Sequence, residues 1–292
     1  MRNPFQERFE EDVNDSTYVT RSLHGDSDAL EALVLRHQSW IYNIAFSMMN
    51  DIHDAEDATQ EVLIKVITKL STYDPGKASF RTWLYRIVVN HIINMRENRK
   101  EKTMSELMKS RGIDEYAARI PDTRKSIHPE GALLEETKIS CVQCILLGLE
   151  RRERIVFILG AVFDVTDRVG SEICDISRDN FRAILSRSRR KVYKFFQKRC
   201  SLIHKDNPCK CAEKTRPMIK LDLIDPTHPL SEQDSYGRVK DILGQTLKGL
   251  DDSYDEFISL YRDQPFFKGP DMVQWLSDLM KGRNFQELIH AS

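Results

Sequence analysis

The chain has 292 residues, a hydrophobic content of 40% and a formal net charge of −1, which suits about two folded domains. No apolar run approaches the roughly 20 residues of a membrane span, and the polar start of the chain lacks the apolar segment of a secretion signal. We therefore expect a cytoplasmic protein that does not bind membranes. Its six cysteines are expected to be reduced thiols or metal ligands.

The charges are unevenly distributed along the sequence. Nine Lys or Arg residues lie between Arg178 and Arg199, against a single Asp, and a weaker basic stretch runs from Arg81 to Lys102. The segment after Leu221 has thirteen Asp or Glu against seven Lys or Arg. Solvated helix faces explain single charges, but nine positive charges in one short stretch indicate binding to phosphate groups.

The first hundred residues show helical periodicity and few strand signals. Three helices are predicted, each with one apolar face. Their N-caps are assigned to Asp26 or Ser27, to Asp54 and to Ser79. We predict a helical domain over residues 16–102.

A second helical domain is predicted after a linker. Pro and Gly residues punctuate residues 103–131, which are interpreted as a linker with one short helix. Periodicity returns over residues 132–199. There Asp175–Ser177 forms a tight turn between two short helices, with Ser177 as an N-cap, which is the layout of a helix-turn-helix.

The remaining residues comprise a cysteine cluster over 200–216 and an acidic helical extension over 221–292. The predicted fold class is all-α.

The second helix of the motif has the features of a recognition helix. It begins with a cap, presents short polar side chains in its first turns, and carries basic residues for phosphates. Arg pairs with guanine and Asn with adenine in the major groove. The candidate DNA-binding residues are Arg178, Asn180, Arg182, Arg187 and Arg189. The apolar residues Ile173, Ile176, Phe181, Leu185 and Val192 are expected to pack the helix pair together.

Two ordered sets of motifs resemble the extracytoplasmic-function sigma factors. The motifs of the first domain are Asp54–Glu61, Tyr73–Gly76 and Phe80–Ile87. Those of the second domain are Ser171–Ser177, Asn180–Arg182 and Leu185–Arg189. The resemblance covers roughly residues 20–200. It implies a protein that binds core RNA polymerase and promoter DNA and starts transcription. No P-loop, nucleotide-binding fingerprint or nucleophile elbow occurs in the sequence, so we do not expect an enzyme.

The resemblance also implies roles for residues of the first domain. Polymerase binding is expected at Asp57, Gln60 and Glu61, although their spacing alone favours a solvated polar face. The melted minus-ten element is expected at Arg81, Arg86, Asn90 and Arg96. Phe80 and Trp83 are interpreted as core residues. The recognition helix is expected to bind the minus-thirty-five element.

The sequence departs from the family pattern in the helix-turn-helix. Asp175 stands where Gly is usual in the turn, and Asp tolerates unusual backbone angles. Ile184 replaces a frequent basic residue, while Gly170 and Ser171 are expected to weaken their helix. The promoter preference therefore cannot be transferred from the family.

Four candidate metal ligands lie within twelve positions. Cys200, His204, Cys209 and Cys211 match the three-Cys, one-His set of a structural zinc site. A redox-responsive thiol cluster and inert cysteines are the alternatives. Cys141 and Cys144 lie in an apolar helical run and are interpreted as core thiols.

The acidic extension leaves two interpretations open. It is either a small helical cap or a regulatory segment that covers a basic DNA-binding face. An anti-sigma factor is a further partner that the sequence leaves open. The alternative functions are a stand-alone helix-turn-helix regulator and an adaptor that holds protein partners.

Overall fold

The computed structural model describes residues 9–109, 131–203, 205–227, 258, 261–262 and 269–281. The helices of the first part are α1 (Phe9–Leu23), α2 (Ser27–Met49), α3 (Ile52–Thr68), a 3-10 turn (Leu70–Thr72), α4 (Phe80–Asn94) and α5 (Arg99–Lys109). The later helices are α6 (Ala132–Leu147), α7 (Arg151–Phe157) with a π-turn (Ile158–Val162), α8 (Asp167–Cys174), α9 (Arg178–Arg199), α10 (Cys211–Lys220) and α11 (Met272–Lys281). The all-α fold is confirmed, because the described residues hold only one isolated bridge of β type, Cys200 to Cys209.

The N-caps of the first domain show why its helices begin where they do. Asp26 caps α2 and Ser79 caps α4, and each side chain accepts a hydrogen bond from the amide three residues further on. The cap predicted for α3 is wrong by one turn. Asp51 caps that helix and accepts from the amide of Asp54 at 3.2 Å.

The linker begins later than predicted. Helix α5 continues to Lys109, with Met104 and Leu107 buried one turn apart. These two side chains pack with Leu147 of α6 and Met218 of α10. Residues 110–130, the remainder of the predicted linker, lie outside the described residues.

The helix-turn-helix is formed by α8 and α9. Ile173, Phe181 and Val192 are fully buried between these helices and α7, as the sequence predicts. Asp175 adopts the left-handed conformation, with φ 52° and ψ 50°. This is the backbone position for which Gly is the usual residue.

Gly170 has a packing role that the sequence did not reveal. A Cβ atom at this position would lie 2.4 Å from Cζ of the buried Phe181. The expectation that Gly170 only weakens its helix is therefore incomplete, because α8 can approach the Phe181 ring only without a side chain here.

The two domains share one core. A single cluster of buried apolar side chains includes residues of α2, α3 and α4 as well as α7 and α9. At the boundary the rings of Trp40 and Phe163 meet edge to face, with centroids 5.1 Å apart. The described parts of the chain contain no helix with the length and apolar character needed to cross a membrane.

The described part of the C-terminal extension packs on both domains. The Tyr261 hydroxyl donates to the carbonyl of Val142 in α6 at 3.1 Å. The amide of Met272, the first residue of α11, donates to Oε1 of Gln38 in α2 at 3.0 Å. These residues lie on α6 and α2 and not on the basic helix α9. The hypothesis that the extension covers a basic DNA-binding face stays a prediction, because most of the extension lies outside the described residues.

Candidate polymerase and DNA interfaces

One face of α3 carries the three side chains for which polymerase binding is predicted. Asp57 and Glu61 are exposed and Gln60 is half-buried. Ile64 follows one turn after Gln60 and is 37% exposed. Ile64 belongs to none of the predicted motifs, although its spacing from Asp57 and Gln60 places it on the same helical face. The exposed part of this face therefore combines acidic and amide groups with one partly exposed apolar side chain.

A groove runs between α3 and α4, beside that face. It is lined by Glu61, Lys65, Lys69, Ile87, Asn90, His91, Asn94, Met95 and Arg96. Asn90 and Arg96, two of the predicted minus-ten residues, are exposed there. The structure thus brings together residues predicted separately for polymerase and for DNA, with Lys65 and Lys69 as additional cations.

His91 lies between the charged groups of Lys65 and Glu61 in the groove. Burial and the neighbouring Lys65 lower the pKa of His91, and Glu61 opposes this only partly. In the neutral ring, Nδ1 accepts a hydrogen bond from Nζ of Lys65 at 2.5 Å. The ring proton is then on Nε2, which faces Oε2 of Glu61 at 3.4 Å. This chain of contacts holds the Lys65 ammonium in the groove.

Arg81 does not lie on the DNA-facing surface, in contrast to the prediction. Its side chain is 6% exposed, and its Nε donates to Oδ2 of Asp15 at 2.9 Å. Asp15 also contacts Arg36 at 2.7 Å and His37 at 3.4 Å. Burial alone would raise the pKa of Asp15, but His37 and the two arginines outweigh it and lower that pKa. The positive charge of Arg81 therefore compensates the negative charge of the buried Asp15 carboxylate.

Arg86 contacts the second domain. Its Nε and Nη2 donate to the backbone carbonyl of Glu172 in α8 at 3.0 and 2.8 Å. Of the four predicted minus-ten residues, Asn90 and Arg96 therefore face the groove, whereas Arg81 and Arg86 are engaged within the protein.

The recognition helix α9 presents several predicted residues to solvent. Its N-cap is confirmed, because Oγ of Ser177 accepts from the amide of Asn180 at 3.2 Å. Arg178, Asn180 and Arg187 are exposed. An open surface along the helix is lined by Arg182, Leu185, Ser186, Arg189, Arg190 and Tyr193.

Two of the predicted arginines are held by internal contacts. Arg182 forms ion pairs with Asp167 and with Asp179. Arg189 is half-buried, and its Nη2 donates to the carbonyl of Gly160 at 3.1 Å. Base contact by the exposed residues Arg178, Asn180 and Arg187 stays a prediction.

The cysteine cluster is folded against the end of α9. Cys200 and Cys209 lie opposite each other in a parallel bridge, closed by bonds from Cys209 N to Arg199 O and from Ser201 N to Cys209 O at 3.0 and 3.2 Å. Burial, with a smaller effect of Cys200 and Cys209, raises the pKa of Cys211 to about 11.

Within the described ranges, no three His, Cys, Asp or Glu side chains are placed so that they could hold a metal ion. His204 lies outside the described residues, so the predicted zinc site with Cys200, Cys209 and Cys211 stays a prediction. Cys144 is a core thiol as predicted. Its Sγ accepts from Nδ2 of Asn50 at 3.2 Å, and burial raises its pKa to about 12.

Comparison with known proteins agrees with the architecture of the first domain. Residues 33–102 match the family model described as Sigma-70 region 2. The chain is 26% identical over 172 residues to the ECF RNA polymerase sigma factor SigW of Bacillus subtilis, which covers 58% of this chain and 90% of that protein. It is 31% identical over 142 residues to the ECF RNA polymerase sigma factor SigE of Mycolicibacterium smegmatis, 44% of this chain and 54% of that protein. Together these matches support a sigma factor of the extracytoplasmic-function type.

A third relative is the RNA polymerase sigma-H factor of Pseudomonas aeruginosa, which is 37% identical over 76 residues, or 39% of its length. The chain thus spans nearly all of the first relative and about half or less of the other two. Its function is that of a sigma factor, promoter-specific initiation of transcription by RNA polymerase, and a stand-alone regulator is not favoured. Three parts of the chain lie beyond the Sigma-70 region 2 match: the helix-turn-helix domain, the cysteine cluster and the C-terminal extension.

Proposed function

We propose that this sigma factor binds core RNA polymerase through the exposed face of α3. Asp57, Gln60 and Glu61 supply acidic and amide groups, and Ile64 supplies an apolar contact beside them. Charged groups orient a protein encounter, whereas buried apolar area adds affinity. This combination fits a basic partner helix with apolar positions.

The groove between α3 and α4 is proposed to hold the melted minus-ten strand. Unstacked bases need polar edges for recognition and cations for the backbone. Asn90 offers an amide, and Arg96, Lys65 and Lys69 offer positive charge around the same opening. Arg81 is excluded from this set because Asp15 neutralises it.

Helix α9 is proposed to bind the minus-thirty-five element in the major groove. Its capped first turn presents Arg178 and Asn180, and Arg187 follows two turns later on the exposed surface. The observation that carries the whole proposal is the presence on one chain of two separate basic surfaces, the groove and α9, together with the Sigma-70 region 2 match.

Further proposals concern partners and location. As a sigma factor the chain acts in the cytoplasm, has no catalysis of its own, and is open to control by an anti-sigma factor. A structural zinc ion at Cys200, His204, Cys209 and Cys211 stays a proposal. Metal analysis of the intact reduced protein, with Cys209→Ser and Cys211→Ser as controls, tests it. The absence of bound zinc would reject it.

Reconstitution with core RNA polymerase tests the function directly. Purified sigma factor is added to core polymerase and a pool of promoter fragments, and the transcripts are sequenced. We expect specific start sites that depend on the added chain. Asn90→Ala is expected to abolish opening of the DNA while core binding is retained. Binding of duplex DNA without any polymerase-dependent transcripts would overturn the proposal in favour of a stand-alone regulator.

A further inference from the structure

Helix α7 ends in the π-turn Ile158–Val162, and this turn lies directly against the recognition helix α9. The amide of Phe163 donates to the carbonyl of Ile158 at 2.9 Å, which is the i to i+5 spacing of a π-helix. A Cβ atom at Gly160 would lie 2.7 Å from Cδ2 of Leu185 in α9. The turn and α9 can therefore approach this closely only because residue 160 has no side chain.

One of the predicted DNA-binding arginines of α9 is anchored on this turn. Nη2 of Arg189 donates to the carbonyl of Gly160 at 3.1 Å. Its Nε is buried and has no hydrogen-bond partner among the described residues, which is an unfavourable state for an N–H group. Arg189 also lines the open surface of α9 beside Arg190 and Tyr193. A phosphate group at that surface would offer this guanidinium a charged acceptor in place of the neutral carbonyl.

The C-terminal extension binds the same turn one residue further on. Nε of Arg262 donates to the carbonyl of Ala161 at 2.9 Å, and its Nη2 pairs with Oδ1 of Asp164 at 2.6 Å. The neighbouring Tyr261 is buried and packs edge to face on Phe157 of α7, with ring centroids 5.2 Å apart. This buried ring holds Arg262 at the end of the turn.

The two guanidinium groups therefore share one helix end. Carbonyl groups at the end of a helix carry partial negative charge and attract cations, and here consecutive carbonyls bind Arg189 and Arg262. The two positive charges repel each other, which weakens the hold of the turn on both. Arg262 has the Asp164 carboxylate as a compensating partner, whereas the acceptor described for Arg189 is uncharged. Arg189 is therefore the cation that this turn releases more readily.

We propose that Arg262 is a positioning residue for promoter binding, which occupies the end of the π-turn and so leaves Arg189 available to a phosphate of the minus-thirty-five element. The inference rests on the proposed binding of that element by α9. Without Arg262, the Asp164 carboxylate and the Ala161 carbonyl lose the cation described here for them, and the turn holds Arg189 more strongly. A residue of the extension thus sets the affinity of the recognition helix for DNA.

A double-mutant cycle on the full-length chain, bound to core polymerase, tests this inference. The variants are Arg189→Ala, Arg262→Ala and the combination of both. The probe is a fluorescently labelled promoter duplex recovered from the transcription assay, and anisotropy titrations at several salt concentrations measure its affinity. Arg21→Ala is the matched control, because Arg21 is also an exposed arginine paired with one carboxylate, that of Asp26 at 2.7 Å, and it lies in the first domain.

We expect Arg189→Ala and Arg262→Ala each to lower the affinity about tenfold, the usual effect of losing one hydrogen bond to a charged group. Each should also reduce the slope of log affinity against log salt concentration by about 0.9, which corresponds to one lost phosphate contact. The double variant should bind like Arg189→Ala, and Arg21→Ala should bind like the wild type.

Additive effects of the two substitutions would overturn the inference, because Arg262 would then contact DNA by itself. An unchanged or higher affinity of Arg262→Ala would also overturn it. If circular dichroism shows Arg262→Ala to be unfolded, Arg262→Gln takes its place with the same expected result, since Gln can still donate to the Ala161 carbonyl but has no charge. If the wild-type holoenzyme does not respond to the minus-thirty-five sequence, the proposed role of α9 fails instead, so the two failures are distinguishable.

Discussion

Glu101 is the single side chain whose replacement is expected to destabilise this sigma factor most clearly. Glu101→Gln keeps the shape of the side chain but removes the charge between Arg151 and Arg154, which make three hydrogen bonds to it of 2.7 to 2.9 Å. Removing one partner of a buried ion pair costs about 3 to 5 kcal/mol. The Gln oxygen still accepts one bond, so we expect a loss of about 3 kcal/mol in the free energy of unfolding. The corresponding decrease in Tm is roughly 6 to 12 °C.

Urea denaturation at pH 7, extrapolated linearly to water, measures this loss. Glu172→Gln is the control, since the Glu172 side chain forms an exposed pair with Arg168 at 3.7 Å, and loss of this pair should cost less than about 0.5 kcal/mol. The contact of Arg86 with the Glu172 backbone carbonyl is kept in this variant. A loss below about 1 kcal/mol for Glu101→Gln would refute the reasoning. It would mean that the arginines are satisfied by backbone carbonyls and do not depend on the carboxylate.

The same carboxylate makes the stability dependent on pH. Burial alone would raise the pKa of Glu101, but hydrogen bonds and charges from Arg151 and Arg154 outweigh it and lower that pKa. For a lowered carboxyl pKa, the stabilisation is complete above the unfolded value, about 4.3, and is lost as the pH falls through the folded value. The difference in stability between the wild type and Glu101→Gln is therefore expected to shrink as the pH falls below about 4.

Other positions give more local effects. Asp57→Arg reverses a charge on the exposed face of α3 and should weaken core polymerase binding in a pull-down while duplex DNA binding is retained. Asn180→Ala should lower the affinity for the minus-thirty-five duplex by about 1 to 3 kcal/mol in anisotropy titrations, if this amide contacts a base. Asp175→Gly relieves a left-handed backbone and should raise the free energy of unfolding by about 0.5 kcal/mol, because roughly 1 kcal/mol of strain is offset by greater unfolded-state entropy. Gly170→Ala places a methyl group 2.4 Å from the Phe181 ring and should cost about 1 to 3 kcal/mol in the same denaturation assay.

Local signals in the sequence predicted the parts of the fold that depend on neighbouring residues. The caps at Asp26, Ser79 and Ser177 are confirmed, because a cap is decided by a side chain and an amide three residues away. The helix-turn-helix could also be predicted from local signals. Its apolar spacing and its turn all lie within about thirty consecutive residues. One short helix was predicted within residues 103–131, but the position and packing of α5 were not, because Met104 and Leu107 gain their partners from helices far along the chain.

The candidate site was predicted less completely, because exposure of an arginine depends on its tertiary partner. Arg81 is separated from Asp15 by 66 residues, and no local pattern indicates that pairing. A local pattern also does not show that Arg86 donates hydrogen bonds to the backbone carbonyl of Glu172. The groove could be anticipated in part, since Asn90 and Arg96 fall on the predicted DNA-facing stretch. Its connection to Glu61 and His91 follows only from the packing of α3 against α4.

The distribution of carboxylates decides which cations of α9 are available for DNA. Phe181, Val192 and Phe196 bury one face of this helix, so its positive charges crowd onto the remaining surface, where like charges one turn apart are unfavourable. Asp167 neutralises Arg182, and Glu153 binds Nζ of Lys191 at 2.6 Å. These pairs reduce the repulsion in the middle of the helix. The first turn itself is close to neutral, because Asp179 lies beside Arg178. The surplus positive charge therefore lies in the middle and at the end of the helix, at Arg187, Arg190, Lys194, Lys198 and Arg199. We expect phosphate contacts there and base contacts at Arg178 and Asn180 in the capped first turn.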